Sequence, residues 1–121
     1  MEISLNPIRH LENIPNNVDT LNVCACYIEK IENLPLGLTN LLIHSNPIST
    51  IENLPFSLKL LDIRACNLRS IDLLPSMLTK IYLDLNKISR LENLPDSIES
   101  VSYTHLPSPR DATLSRMPSS A

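Results

Sequence analysis

The chain has 121 residues, and its formal net charge at pH 7 is −3. This length fits one domain, and so small a charge excludes the strongly basic surface with which many proteins bind nucleic acid. The N-terminal segment lacks the apolar run of a signal peptide, and no later apolar stretch reaches the roughly 18 residues that cross a bilayer. We therefore expect a cytoplasmic protein with no nucleic-acid or membrane partner.

The composition combines one glycine with ten prolines. A compact domain ordinarily uses several glycines in its tight turns. A chain with a single glycine must either make few such turns or form every turn in the same way, and sequence repetition provides the second solution.

A five-residue word recurs at intervals of twenty residues. It reads LENIP at 11–15, IENLP at 31–35 and again at 51–55, IDLLP at 71–75 and LENLP at 91–95. In a twenty-residue frame the apolar residues fall into columns of Leu, Ile and Val, which predicts a continuous core through stacked units. The first column comprises Met1, Leu21, Leu41, Leu61, Ile81 and Val101.

Each unit begins with inward-facing apolar residues at alternate positions, as at Ile81 and Leu83, which predicts a short strand with one buried face. Apolar residues then recur at every third position up to the proline. This spacing favours an extended or 3₁₀ return segment, because twenty residues leave little room for a full α-helix. Stacked units would align their strands in parallel, about 4.8 Å apart.

The unit pattern L-x-x-L-x-L-x-x-N-x-I-x-x-I-x-x-L-P, seen at 38–55, resembles the leucine-rich repeat. Its length and proline are most similar to the short bacterial type, and IENL and NPISTIENLP also resemble the slightly longer repeats of phosphatase regulatory subunits. The resemblance covers 1–100 in about five units. It implies an α/β-type solenoid shaped as a horseshoe arc, with a parallel β-sheet on the concave face, extended or 3₁₀ segments on the convex face and little or no α-helix.

The last segment, 101–121, leaves this register. It is rich in Ser and Pro and has no periodicity, which is typical of disorder. It also resembles a translated sequencing adapter of the kind that terminates many environmental open reading frames. We therefore predict a repeat domain at 1–100 and a disordered or artefactual tail at 101–121, so that the repeats are a fragment of a longer protein.

One column alternates Asn with Cys, the two residues that leucine-rich repeats permit at this place. A buried Asn can bond the backbone of the turn that leaves each strand, and Cys can do so more weakly. The Asn inside the recurring word is also expected to cap its turn. The predicted structural ladder comprises Asn6, Cys26, Asn46, Cys66 and Asn86.

The three cysteines are expected to be free thiols. Cys26 and Cys66 are two units apart, or about 9–10 Å, which exceeds the roughly 7 Å that a disulfide can bridge. Cys24 and Cys26 are separated by one residue of a strand, so their side chains diverge. Free thiols suit a reducing cytoplasm.

The concave face is formed by the residues between the apolar strand positions. They combine an aromatic side chain with aliphatic and charged ones, a mixture typical of protein interfaces. The family resemblance implies that this face binds a protein partner. The candidate binding residues are Leu42, His44, Asp62, Arg64, Tyr82 and Asp84.

Catalytic and metal interpretations of the same face are weaker. Cys24 would lie beside His44, but nucleophilic catalysis also needs an oxyanion site and a pocket, and structural zinc needs four ligands. A column of acidic residues could attract calcium, but we favour a solvated edge that keeps the array soluble. We predict no catalytic residue, no metal and no cofactor. The acidic column comprises Glu12, Glu32, Glu52, Asp72 and Glu92.

These observations favour a non-catalytic module, monomeric rather than oligomeric, that binds a protein partner through its concave sheet. Two alternatives remain open. The repeats could be the recognition arm of a larger enzyme, for example a ubiquitin-ligase-type effector whose catalytic domain is absent from this fragment. They could also form a structural spacer, whose concave face would tolerate any polar substitution.

Overall fold

The strands of the protein form one parallel sheet in chain order, as seen in a computed structural model that describes residues 1–4, 8–69, 71, 74–88 and 94–102. An isolated bridge between Glu2 and Asn22 extends the sheet to the N-terminal segment. The five strands are β1 (Thr20–Asn22), β2 (Asn40–Leu42), β3 (Leu60–Asp62), β4 (Lys80–Tyr82) and β5 (Ser100–Ser102).

The pairing register equals the sequence repeat. Leu21 pairs with Leu41, and Leu61 follows on the next strand. Each unit therefore contributes one strand, and its return segment brings the chain back to begin the next. The described part of the chain contains no helix, which confirms the predicted parallel solenoid with little or no α-helix. None of these residues forms a helix long and apolar enough to span a membrane.

The core consists of the stacked apolar columns, which lie between the sheet and the return segments. Leu41 and Leu61 of the strands and Leu58 at the end of a return segment are fully buried. Each such side chain contributes about 1.5–3 kcal/mol of transfer free energy. In the first unit Leu11 is buried in this core, but other apolar residues are only half-buried and pack against it. The half-buried residues comprise Ile3, Ile8, Ile14 and Val18.

The buried Asn46 bonds two neighbouring units together. Its Oδ1 accepts hydrogen bonds from the backbone N–H of Cys26 and Ile28 at 2.8 and 3.0 Å. Its Nδ2 donates to the carbonyls of Val23 and Ile43 at 2.9 and 2.8 Å. One side chain thus satisfies backbone groups that would otherwise be buried without partners. Asn86, two repeat units further along the chain, forms the equivalent hydrogen bonds.

Cysteine reproduces only half of this bonding. The Cys66 thiol donates to the carbonyls of Ile43 and Arg64 at 3.4 and 3.3 Å, which stand at the same offsets as two carbonyls bonded by Asn46. A thiol is a weak acceptor, and the Ile48 N–H, the counterpart of the Ile28 N–H bonded by Asn46, donates instead to the Asn46 backbone carbonyl at 2.8 Å. The chemical repeat is therefore forty residues, twice the sequence repeat. Asn6 lies outside the described residues.

Left-handed backbone conformations are carried by residues other than glycine. In the recurring word the Asn residues take this conformation, and the Asn33 side chain donates to the Leu11 carbonyl at 2.7 Å. Asn tolerates positive φ better than most L-residues do. At the turn after each of the first four strands, one residue has a positive φ, and it is never glycine. Because these turns do not use glycine, the chain needs little of it. The residues there are Ala25, Ser45, Ala65 and Leu85, with φ values of 56, 63, 53 and 63°.

The predicted boundary after residue 100 falls inside β5, whose three residues pair with β4. Val101 retains the apolar character of its column and packs against the core. The remainder of the predicted tail lies outside the described residues, as do Asp72 and Glu92 of the acidic column.

Candidate interaction surface

The six candidate binding residues lie on three neighbouring strands or directly after them. Leu42, Asp62 and Tyr82 are register partners. They alternate with buried residues such as Leu41 and Ile81, so their side chains project to the opposite side of the sheet. The ladder continues beyond the strands, since Ser45 N–H donates to the Arg64 carbonyl and Ala65 N–H to that of Asp84, both at 2.9 Å. His44, Arg64 and Asp84 therefore lie side by side. We call these six residues the concave cluster.

Arg64 is held in place by a buried carboxylate. Its Nε and Nη2 donate to the two oxygens of Asp62 at 2.8 and 2.7 Å. Asp62 is only 2% exposed, whereas the Arg64 side chain is 43% exposed. The hydrogen bond with Asp62 is the main cause of the raised pKa of Arg64. Bidentate pairs of this kind fix the orientation of the guanidinium.

The role expected for Asp62 is therefore corrected. It was expected among the solvent-facing residues of the cluster, but it lies beneath Arg64 with both oxygens occupied. A carboxylate can be buried when its charge is paired and hydrogen-bonded, and Arg64 supplies both. Asp62 thus positions a neighbour and presents almost no surface of its own.

Tyr82 lies under the same guanidinium. The Arg64 Cζ atom is 5.5 Å from the centre of the Tyr82 ring, within the range of a cation–π contact. The aromatic ring and the carboxylate therefore restrict Arg64 from two directions. This arrangement links β3 to β4 on the concave side.

Asp84 has a less complete environment. Its Oδ2 accepts a hydrogen bond from the Ser102 hydroxyl at 2.7 Å. Its Oδ1 is buried and accepts no hydrogen bond within the described part of the chain. The described residues also contain no cation in ion-pair contact with Asp84. Within the described part of the chain the Ser102 hydroxyl is thus its one short-range polar partner, and Asp84 also acts at a distance on Arg64.

Cys24 is not poised as a nucleophile beside His44. The thiol is buried and lies 3.5 Å from the Leu42 carbonyl, to which it donates. Burial raises the pKa of Cys24, with a smaller opposing effect from the His44 backbone. Because the thiolate is the nucleophilic form, this environment disfavours the reactive species. The His44 ring contacts the hydroxyl of Ser45, with Nδ1 3.0 Å from Oγ.

The first strands carry small neutral groups on the same side. Ser4 donates to the Asn22 side chain at 2.9 Å, and Asn40 donates to the Thr20 hydroxyl at 3.0 Å. Ser4 and Asn22 share columns with the concave cluster. Thr20 and Asn40 lie in the column of Leu60 and Lys80, on the same side of the sheet. Charged and aromatic character is concentrated further along the sheet, on β3 and β4.

A second exposed apolar group was missed by the sequence reasoning. Leu36 and Phe56 are 81% and 74% exposed and directly follow the proline of the recurring word. The signal was present in the sequence, because both occupy a column that is otherwise polar at Asn16, Ser76 and Asp96. These side chains precede the strands and do not belong to the concave cluster.

The chain holds its three cysteines as free thiols. Among the residues that the structure describes, no three or more His, Cys, Asp or Glu side chains are grouped so that they could hold a metal ion.

The geometry defines a class of protein, a parallel β-solenoid with one strand per twenty residues. No protein-family model and no curated protein matches the chain. Among solved structures, the leucine-rich-repeat domain of a Shigella effector is similar, with 27% sequence identity and a TM-score of 0.75. The match covers 85% of this chain and 48% of that one, so the chain spans about half the length of that structure. The protein is a leucine-rich-repeat solenoid, as its recurring pattern predicted.

Proposed function

We propose that the protein is a non-catalytic interaction module that binds a protein partner through the concave cluster. Solenoids of stacked repeats characteristically present an extended concave surface for binding. The observation that carries the proposal is the exposed Arg64, fixed by the buried Asp62 and by the Tyr82 ring. A side chain ordered before binding loses less conformational entropy when a partner docks.

The composition of the cluster supports a protein rather than a nucleic acid as the partner. Tyr and Arg are the residues that most often dominate binding energy in protein interfaces. Leu42 adds apolar contact beside them, and Asp62 cancels the charge of Arg64, so the cluster lacks the basic surface that phosphate would require.

The test uses peptides from a random library displayed on phage and selected on the immobilised protein. Selected peptides are synthesised and titrated against wild type, Tyr82→Ala and Leu42→Ala, with folding checked by circular dichroism. We expect Kd to rise at least ten-fold in each variant, or about 1.4 kcal/mol or more. The matched control is Phe56→Ala, which removes an exposed aromatic side chain outside the cluster and should leave Kd unchanged. The opposite pattern, sensitivity at Phe56 alone, would refute the proposal.

The recognition arm of a larger enzyme is a second candidate. It is favoured by the similarity to the leucine-rich-repeat domain of an effector. Sequencing the source DNA across the codons for 98–109 and beyond distinguishes the two candidates. A continued reading frame that encodes further repeats and then a catalytic domain would favour the enzyme, and the concave cluster would still provide recognition.

A further inference from the structure

We infer that the partner carries an acidic side chain whose carboxylate binds Lys59 and Lys80, beside the concave cluster. This inference rests on the proposed function and specifies the chemistry of the partner. It follows from the backbone hydrogen bonds that bring the two lysines together and from the charges on either side of them.

The two lysines are neighbours where β3 and β4 begin. Lys59 directly precedes β3, and its carbonyl accepts hydrogen bonds from the N–H groups of Thr79 and Lys80 at 2.8 and 3.1 Å. Both lysines are exposed, and the ion pairs among the described residues include neither of them. Two ammonium groups on neighbouring strands repel each other, and an anion that contacts both offsets this repulsion.

The charges in the row that contains Lys59 favour a single carboxylate over a polyanion. In this row each residue donates its N–H to the carbonyl of its counterpart in the preceding unit. Exposed acidic residues stand at the two ends, each two units from Lys59. A nucleic acid or an anionic membrane that extended over several units would be repelled by them, whereas one carboxylate at the centre would meet the lysines alone. The row comprises Asp19, Thr39, Lys59, Thr79 and Glu99.

Apolar surface lies next to the lysines. Leu60 follows Lys59 and is the register partner of Lys80. Leu42 lies on β2, on the same side of the sheet and diagonal to Leu60. Both leucines are only half-buried, so a partner segment with an apolar residue close to an acidic one can contact them and the lysines together. The carboxylate site is therefore continuous with the concave cluster through Leu42.

The experiment is a double-mutant cycle on library peptides that depend on the concave cluster. We expect Asp or Glu to be enriched among them. In the tightest peptide, replacing the acidic residue by its amide removes the charge and nearly preserves the shape. In the protein, Lys59→Met is combined with Lys80→Met, which keeps apolar side chains of similar length, and circular dichroism confirms that the variant is folded. The charge-matched control combines Lys30→Met with Lys87→Met, both at exposed positions outside the strands.

We expect the amide to weaken binding to wild type about five-fold, and the Lys59/Lys80 variant to weaken binding of the acidic peptide by a similar factor. The two changes together should cost little more than either alone, while the control variant has no effect. Added salt should lower the affinity of the acidic peptide for wild type more than its affinity for the Lys59/Lys80 variant.

The inference is overturned, while the concave cluster remains the binding surface, if acidic residues are not enriched or if the Lys59/Lys80 variant weakens the acidic and amide peptides equally. Binding of a DNA oligonucleotide or of anionic vesicles that depends on these two lysines would also overturn it. If the selected peptides are sensitive at Phe56 and not at Tyr82 or Leu42, the inference and the proposed function both fail.

Discussion

The interior of the solenoid and its concave surface share one register, but they differ in how closely one repeat resembles the next. In the interior, Leu41 and Leu61 occupy equivalent positions with equivalent burial. On the concave surface the register partners Leu42, Asp62 and Tyr82 have unrelated chemistry. The interior satisfies the same packing and hydrogen-bonding requirements in every unit, whereas the surface is free to vary. This difference separates the residues that form the fold from those that can distinguish partners.

The largest effect on stability is expected from a change in the interior of the solenoid, at Asn46. Asn46→Ala removes hydrogen bonds to two N–H groups and to several carbonyls, all within or beside the core. Each buried group left without a partner costs about 1–3 kcal/mol, and partial relaxation should limit the total loss of unfolding free energy to about 4 kcal/mol. Urea unfolding followed by circular dichroism measures it. Asn46→Cys, which keeps a donor as in the Cys units, should lose less, and equal losses in the two variants would contradict the separate donor and acceptor roles.

The next effect depends on pH and also arises in the interior. Burial raises the pKa of Cys66 from 9.0 to about 11. Below pH 9 the thiol is neutral in both states and its contribution to stability is fully present. Between about pH 9 and 11 the unfolded chain loses this proton first, so stability falls as pH rises. At about 1.4 kcal/mol per pKa unit, the loss should reach about 3 kcal/mol.

The control for this effect is Cys66→Ala. This variant lacks the Cys66 thiol but keeps every other group of the wild-type protein that loses a proton at alkaline pH. Its unfolding free energy should depend less steeply on pH between 9 and 11 than that of wild type. Parallel curves for the two proteins would show that the thiol does not ionise differently on unfolding.

A smaller effect on stability is expected at the ion pair between Arg64 and the buried Asp62. Arg64→Met leaves the buried Asp62 without its guanidinium, and we expect a loss of about 2 kcal/mol, less than for a fully buried pair because the Arg64 side chain is 43% exposed. The double variant Asp62→Leu, Arg64→Met should recover most of this loss, since an apolar pair has no charge to compensate. Thermal unfolding of both variants tests this, and a double variant no more stable than Arg64→Met would count against it.

The smallest effect concerns the backbone and is stabilising. Leu85 has a φ of 63°, a conformation that strains an L-residue and is easily adopted by glycine. Leu85→Gly should therefore raise the unfolding free energy by about 0.5–1 kcal/mol, because the 58% exposed side chain contributes little packing. Lys87→Gly, at an exposed position without positive φ, should instead lower it by a similar amount through added chain entropy. Two changes of the same sign would refute the explanation.

The sequence predicted the interior well because the repeat imposes it. Positions such as Leu21 and Leu41 recur in every unit, so the strand register could be derived from the spacing alone. The forty-residue chemical repeat was less accessible, because it depends on Asn46 accepting hydrogen bonds from the unit before it. That contact joins two neighbouring units, and the sequence alone does not show whether Asn46 bonds the unit before it or the unit after it.

The concave surface could be predicted only as a set of positions. Alternation placed Asp62 and Arg64 on one side of the sheet, but it could not indicate that one would be buried beneath the other. This outcome depends on side-chain geometry within a single pair, which no other unit repeats. Leu36 and Phe56 were missed for a related reason, since only two units place large apolar residues in that column.

The most direct test of the account maps a bound peptide on the protein by NMR. The ¹⁵N-labelled protein is titrated with a library peptide of submillimolar affinity, and shifts of the backbone amides are followed. Binding by the concave cluster predicts that the largest shifts occur from Leu42 to His44, from Asp62 to Arg64 and from Tyr82 to Asp84. Largest shifts around Leu36 and Phe56 would contradict this account and would assign recognition to the exposed apolar residues that precede the strands.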